Sequence, residues 1–569
     1  MRHSILGAIW QELPADPDCC ARLSRDLGLS ALVARALVAR GIADSAQASI
    51  YLRGGLDDLH DPLLMRDMPQ AVAVLRRAVE SRQPIRVYGD YDADGITAIA
   101  LLVRALSALG ATVDYYLPHR IADGYGLNTP AIEQAARDGV KLLVTVDCGI
   151  SAAPELSRAR ELGLDVVVTD HHEPPSSLPP AAAILDPKRS DCSYPFKDLA
   201  GVGVAYKLLA ALAADLGLRA GAERSFLDLV AIGTIADVVS LTGENRLLVK
   251  HGLEALDGTR KHGISALLRA ASAKTPVTSY NVAFGLAPRL NAAGRLDHGQ
   301  AAAALLLTSD PTEARRLADR LSDLNTERQE EERRTLACAE EMIASNVDLE
   351  QHRLILLAHP EWHPGVIGIV ASRLVERYCR PVVLIAFADG AGKGSARSIP
   401  GFHMYDALCA CASCLEDFGG HALAAGFSLA AGELDSLRGR LLAHAAQVLG
   451  PHDLVRKTEI DAWVSPPDLS VDTVADLAAM APFGAGNPRP VVAVRDVTVQ
   501  TLETCGADSR HLRLMLGQGD VSLRAIWFGY GELAGRIGRG AAVDACGTPE
   551  IDEWNGRRSV TLKLRDLAA

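Results

Sequence analysis

A chain of 569 residues, 49% hydrophobic and 22% charged, has material for three to five packed domains and is not a mostly disordered polymer. Its 58 basic and 70 acidic side chains leave a net charge of −12, which counts against a nucleic-acid binder unless many of the acids gather around bound cations. Apolar runs such as Val166-Val167-Val168 are strand-length, short of the ~18 residues of a membrane span, and Met1 to Trp10 lack the basic start and long apolar stretch of a secretory signal.

Residues 1 to about 80 read as short helices with an Arg- and Asp-rich surface and no evident chemistry. From Ile85, strands at Ile85–Tyr88, Thr112–Leu117, Leu142–Val146 and Val166–Thr169 alternate with helical patterns over Gly95–Leu109 and Pro130–Arg137 and a further helix. Such alternation predicts a parallel, doubly wound sheet with helices on both faces. Helical segments (Gly201–Leu216, Arg224–Val239, then on to about Leu307) complete this half. Glu313 to about Ala344 carries charge of mixed sign at helical spacing and reads as a long solvated helix joining two lobes. A second α/β segment runs from Arg353 to about Leu449. Beyond it, Leu512, Leu514 and Leu516 alternate with polar residues, Gly517-Gln518-Gly519-Asp520 reads as a turn, and Asn555-Gly556 is a hairpin signal. The tail reads as a small antiparallel barrel or sandwich.

Chemistry concentrates at the predicted strand ends. Gly89-Asp90-Tyr91-Asp92-Ala93-Asp94-Gly95 sets three carboxylates in five residues, a density that repels itself unless a cation sits among them. Asp147 closes a second strand, Asp170-His171-His172 a third, and Asp237 stands in an otherwise apolar helical segment. Strand C-termini of an open α/β sheet converge on one crevice, so the first three clusters should meet. Carboxylates with imidazole suit Mn²⁺ or Mg²⁺. The eleven cysteines, an odd number scattered among core-like segments, argue for reduced thiols in a cytoplasm. Cys409, Cys411 and Cys414 lack a second pair and read as helix core, and Trp527 and Phe528 in the tail read as buried core too.

The acidic loop, Asp147 and Asp170-His171-His172 resemble the motifs of the DHH phosphoesterase superfamily, in particular its single-strand-specific 5′→3′ DNA exonucleases. Further matching motifs are Ala287–Arg295, Trp362–Val370, Gly394–Arg397, Gly419–Gly426 and Ala481–Pro488. The resemblance implies an α/β fold of two lobes, a DHH parallel-sheet domain (81–310) and a DHHA1-like substrate-binding domain (351–452), joined by a long helix (311–350). An N-terminal helical segment (1–80) would precede them and an OB-like β-barrel (453–569) follow. It implies two ions of Mn²⁺ or Mg²⁺ held by Asp92, Asp94, Asp147, His171 and Asp237, with Asp147 as a bridge. Asp170 and His172 would support the site, His172 facing the phosphate. Many relatives carry histidine where this chain has Tyr88, a poor ligand, so the first ion would lean more on Asp90 and water.

Arg120, Arg289 and Arg295 occupy family motifs, the last two flanking Asn291 in what reads as an Asn-Ala-Ala-Gly turn. Arginine forks suit phosphate. Gly392 to Arg397 reads as a glycine-rich turn that presents backbone N–H, the Ser395 hydroxyl and the Arg397 guanidinium to one phosphate; the resemblance implies a terminal-phosphate or strand-binding element here, with His421 lining the cleft between lobes. The expected activity is hydrolysis of single-stranded DNA from its 5′ end, preferably 5′-phosphorylated, in recombination and repair. Helicase or single-strand-binding-protein partners, a monomeric state and a cytoplasmic location are expected. Two other readings remain open here: a hydrolase of short oligonucleotides or cyclic dinucleotides, and a metal-free replication scaffold.

Overall fold

The computed structural model describes residues 3–119, 124, 126–296, 298–388, 390–554 and 556–569. Its first lobe is a five-stranded parallel sheet in the order Val113–Tyr116, Ile85–Gly89, Leu142–Val146, Asp165–Thr169, Ala183–Leu185. Side chains alternate between two cores, as a strand repeat of two requires. Val87, Val144 and Val167 pack with the Ala93–Ala108 and Gly201–Asp215 helices, while Tyr88, Leu143, Val166 and Val168 pack with the Thr129–Arg137 and Ala153–Glu161 helices. The predicted doubly wound arrangement is therefore present.

The connecting helix spans Pro311–Asn346, 36 residues or about 54 Å at 1.5 Å per residue. It is less solvated than its charges suggest. Leu317, Leu321 and Leu324 belong to the core of the first lobe, and Ala339 and Ile343 to that of the second.

The second lobe holds a mixed five-stranded sheet, Asp417–Gly420, Ala424–Ala430, Ala391–Arg397, Val382–Ala388, Ile355–His359. Here the glycine-rich turn expected at Gly392–Arg397 is corrected: the segment is a strand with neighbours on both sides. Its glycines answer to packing rather than to turning. A Cβ on Gly394 would lie 2.1 Å from the Phe427 ring, and one on Gly392 2.7 Å from Leu429 and Phe387. Cys411 and Cys414 are buried in this lobe's core, while Cys409 is exposed.

The tail is a closed barrel. Strands Val492–Cys505, His511–Gln518, Val521–Trp527, Arg557–Ala568 and Ala542–Trp554 follow one another, and the last pairs back with the first. Asn555 of the expected hairpin lies outside the described residues. Trp527 is core, but Phe528 is corrected to half-exposed, because it follows the last strand residue and the alternation turns it outward. The segment 1–80 is also corrected. Ile9–Glu12 is a strand, paired in parallel with Lys457–Ile460, and Leu23 to Tyr51 share the barrel core. Met65 and the Met68–Glu80 helix join the core of the first lobe, with Leu56 and Leu59 packed against it.

Arg246, on the Gly243–Asp257 helix, fastens the barrel to the first lobe. Its guanidinium donates to the carbonyls of Tyr51, Met480 and Ala481 at 2.7–2.8 Å and stacks 3.8 Å from the centroid of the Tyr51 ring. No helix among the described residues is long and apolar enough to cross a membrane.

Candidate metal centre

Strand order reverses between Ile85–Gly89 and Leu142–Val146, and a crevice opens beyond their C-terminal ends. Asp92 caps the Ala93–Ala108 helix, its Oδ1 accepting from the backbone N–H of Asp94 (2.9 Å) and Gly95 (3.1 Å). The turn closes tightly enough that a Cβ on Gly95 would lie 2.5 Å from the Asp90 carbonyl oxygen. Asp94 is fully buried. Its carboxylate accepts from Gly201 and Val202 N–H (2.7 and 2.9 Å) at the start of the Gly201–Asp215 helix, and burial, with the Asp92 charge beside it, pushes its pKa up to about 7.

Asp147 follows Val146 with φ of +60°, a left-handed backbone uncommon for a residue with a side chain. Burial and its aspartate neighbours push its pKa well above the usual range. His171 Nε2 stands 3.0 Å from Asp147 Oδ1 and 3.6 Å from Asp237 Oδ2. His171 Nε2 has no hydrogen-bond partner among the described residues. Burial and neighbouring His172 press its pKa down to about 3, leaving a neutral imidazole. Asp237 caps the end of the Leu227–Ala236 helix, and burial plus the Asp94 charge raise it to about 9.

Asp170 is the anchor beneath these groups. It accepts from the N–H of Ile150, His171 and His172 and pairs with His172 Nδ1 at 2.7 Å. Burial alone would raise its pKa, yet the bond from His172 holds it below the ordinary range. Burial presses the His172 pKa down, but the Asp170 bond and charge, with the charges of Asp90 and Asp92, leave it raised.

A cation fits this set. Asp147 Oδ1, His171 Nε2 and Asp237 Oδ2 are buried with no hydrogen-bond partner among the described residues, a costly arrangement without a positive charge between them. Donor atoms gather within 4.8 Å in three overlapping groups: Asp90, Asp92, Asp147; Asp94, His171, Asp237; and Asp147, His171, His172. Asp147 and His171 each serve two groups. The oxygen-rich donors with one or two imidazoles suit Mn²⁺ or Mg²⁺.

Of the other sequence candidates, Asn291 and Arg295 line the same crevice of about 290 Å³. Asn291 Oδ1 accepts from Ala93 N–H, and Arg295 donates to the Gly365 carbonyl oxygen of the second lobe (3.1 Å). The turn expected around them is corrected to the Ala287–Leu296 helix. Arg289, on another face of that helix, is drawn away to the carbonyls of Gly285 and Ala270 and the Ser322 hydroxyl, a structural staple. Ser395 and Arg397 bond each other (3.2 Å) against Gly368, on the helix that begins just after the Arg295 contact. His421 is exposed and does not line the crevice, and Arg120 lies outside the described residues. The Tyr88 hydroxyl is turned to the Gly126 carbonyl and Asn128, away from the carboxylates. Asp186 was missed. It ends the Ala183–Leu185 strand, is fully buried, and is raised to about 7 by burial, with the charge of Asp170 adding to the rise. The sequence signal was the same apolar run closed by aspartate, only shorter.

Family models match three stretches: the DHH family N-terminal domain (84–234), the DHHA1 domain (350–447) and the RecJ OB domain (460–566). The chain is 39% identical over 562 residues to the single-stranded-DNA-specific exonuclease RecJ of Bacillus subtilis (strain 168), covering 98% of this chain and 70% of that protein. It is 36% identical to the protein of the same description from Escherichia coli (strain K12), covering 95% and 96%. The crystal structure of RecJ in complex with Mn²⁺ from Thermus thermophilus superposes with a TM-score of 0.85 at 33% identity, over 99% of this chain and 80% of that one. A Mg²⁺ complex of the same protein superposes with a TM-score of 0.79.

Proposed function

The chain belongs to the RecJ family of single-stranded-DNA-specific exonucleases, and from that premise we propose how its own residues degrade a strand from the 5′ end. It is a metal-dependent hydrolase of single-stranded DNA that uses Mn²⁺ or Mg²⁺. The observation that carries the reading is the meeting of Asp90, Asp92, Asp94, Asp147, His171 and Asp237 from separate elements in one crevice.

In this reading Asp90, Asp92 and Asp147 hold one ion, and Asp94, Asp147, His171 and Asp237 the other. Two divalent cations supply Lewis acidity that lowers the pKa of water and offsets the charge gathering on the phosphate. The chain's residues do the rest. His171, held neutral by burial, offers Nε2, which has no hydrogen-bond partner among the described residues. Asp170 holds His172 through Nδ1, turning its other ring nitrogen toward the crevice to donate to a phosphate oxygen. Asn291 braces the Asp92–Asp94 turn, and Arg295 offers guanidinium charge while tying the crevice to the second lobe. Ser395 and Arg397 receive the terminal 5′-phosphate, which carries more charge than an internal diester. Helicase or single-strand-binding-protein partners, a monomeric state and a cytoplasmic setting belong to the same reading.

The test is digestion of a long single strand labelled at either end, with and without Mn²⁺, beside the matching blunt duplex. Mononucleotides should leave first from the 5′ end of the single strand and only with metal. First release from the 3′ end would overturn the polarity, and equal rates on the duplex would overturn the single-strand specificity.

A further inference from the structure

The open sheets of the two lobes have four edges between them, and a free edge is a template for another strand that folded proteins normally blunt. In the first lobe the Val113–Tyr116 edge carries the exposed Asp114, paired with Arg86 at 2.6 Å, and the Ala183–Leu185 edge is packed by the Met68–Glu80 helix. In the second lobe the Asp417–Gly420 edge is short, begins with the exposed Asp417 and ends in two glycines. The fourth edge, Ile355–His359, has none of these defences. Leu354 to Ala358 reads Leu-Ile-Leu-Leu-Ala, without a charge, a proline or a bulge, and the strand pairs with Val382–Ala388 in unbroken register. Its backbone is half used. Ile355 N–H donates to the Pro381 carbonyl oxygen (2.9 Å), so Ile355, Leu357 and His359 turn their polar groups to the Val382–Ala388 strand. Alternation turns the N–H and C=O of Leu356 and Ala358 the other way, where no described residue bonds them.

Against that edge lies a cavity of about 380 Å³, lined by Leu354, Leu356, Leu357 and Ala358. The connecting helix covers one face of the strand, and Met342 and Val347 at its end wall the cavity on that side. The Leu434–Val448 helix covers the other face, and Leu434 and Leu442 wall it there. The result is a slot between two helices in which the sheet lacks one strand. A second copy would bring its own pair of helices to the same place, so a lone extended segment fits better. The chemistry of the occupant follows. Side chains of an added strand alternate between two covered faces, so both sets must be apolar. His352 and Arg438 line the slot and no aspartate or glutamate does; Arg438, paired with the exposed Asp435 at 2.7 Å, keeps a guanidinium on its wall. A carboxylate beside the apolar run of the occupant complements that charge.

We propose that the Ile355–His359 edge is a docking site for an extended segment of a partner protein, apolar on both faces and flanked by an acidic residue, which completes the second lobe's sheet as a further strand. The slot shares no residue with the metal crevice, and the inference goes beyond the exonuclease reading.

The probe is a phage-displayed library of short linear peptides with Val, Ile, Leu or Thr at the central positions and Asp or Glu at the flanks, selected on the full-length protein. A selected peptide carrying a fluorescent label is then titrated by anisotropy, which needs neither metal nor DNA and so is read independently of exonuclease activity. Wild type should bind it in the micromolar range. N-methylation of alternate central residues should weaken binding about tenfold or more in the one frame whose N–H groups face the strand, and much less in the other. Ala358→Pro removes one outward N–H, leaves the ladder to Val382–Ala388 intact, and should weaken binding about as much, with Mn²⁺-dependent digestion unchanged. Arg438→Glu should weaken the acidic-flanked peptide several-fold. Equal loss in both N-methyl frames, or loss in neither, would overturn the added strand, and that comparison is made on wild-type protein, so it decides even if Ala358→Pro is unstable. No peptide enriched above selection on bare support would overturn the slot as a docking site. A concentration-dependent dimer in sedimentation that Ala358→Pro dissolves would overturn the partner segment in favour of a second copy.

Discussion

His171 Nε2 and Asp147 Oδ1 face each other at 3.0 Å, both buried and neither satisfied by a hydrogen bond. A neutral imidazole and a carboxylate so placed stabilise nothing by themselves. They form a receptor for positive charge, and the measurable consequences of the site begin from that deficit.

Asp147→Asn keeps the side-chain volume, and asparagine tolerates the +60° φ. Turnover with Mn²⁺ should fall by about a thousandfold or more, because the group shared between two donor sets is lost. In EDTA at pH 8 the variant should melt no lower than wild type, since a carboxylate strained by its neighbours has gone. Near-normal turnover would remove Asp147 from the bridge.

The metal-free protein should lose stability as pH rises. Asp94 and Asp237 hold their protons to about 7 and about 9 when folded, but an aspartate in the unfolded chain releases its proton near about 3.9. Between those values the folded state binds more protons than the unfolded, so unfolding free energy falls with pH. This contribution is complete below about pH 4 and is lost as pH climbs through 7 to 9. Melting in EDTA should therefore drop between pH 6 and pH 9, and saturating Mn²⁺ should flatten the trend. An EDTA curve that rises over this range would contradict the buried carboxylate cluster.

Arg397→Ala should act on substrate preference. Losing one charge-assisted bond to a terminal phosphate costs roughly 1.5–3 kcal/mol, or about ten- to a hundredfold in affinity. The variant should slow chiefly on 5′-phosphorylated strands and narrow their lead over 5′-hydroxyl strands. A phosphate preference equal to that of wild type would exclude Arg397 from the pocket.

Gly394→Ala tests the second lobe. The added methyl would lie 2.1 Å from the Phe427 ring, and overpacking of this kind costs about 1–3 kcal/mol. Phe427→Leu in the same chain should recover part of the lost melting temperature. If Gly394→Ala alone melts like wild type, the glycine has some other purpose.

The strand-end aspartates were legible because period-two apolar runs stop at them, and parallel topology does the gathering. Asp186 escaped because a run of only three residues is too short to register as a strand. The Gly392–Arg397 strand was read as a turn because glycine weakens local strand propensity, and Phe427, which requires the glycine, lies 33 residues further along the chain. Arg289 and Arg295 look alike in sequence. A helix separates them onto different faces, and only tertiary neighbours decide that one guanidinium staples helices while the other reaches the crevice. Local patterns carry no record of such distant partners.

The pairing of Ile9–Glu12 with Lys457–Ile460 also bears on the order of events at the ribosome. At about 5–20 residues per second, the first strand leaves the ribosome roughly 20–90 s before its partner is synthesised. Through that interval Leu23, Val33 and Leu37 have no barrel to cover them, whereas the parallel sheet of the first lobe has all its strands once Leu185 is made. A segment made ahead of the parallel sheet is thus buried only once the barrel has been made, and until the barrel closes it offers chaperones an apolar stretch to hold.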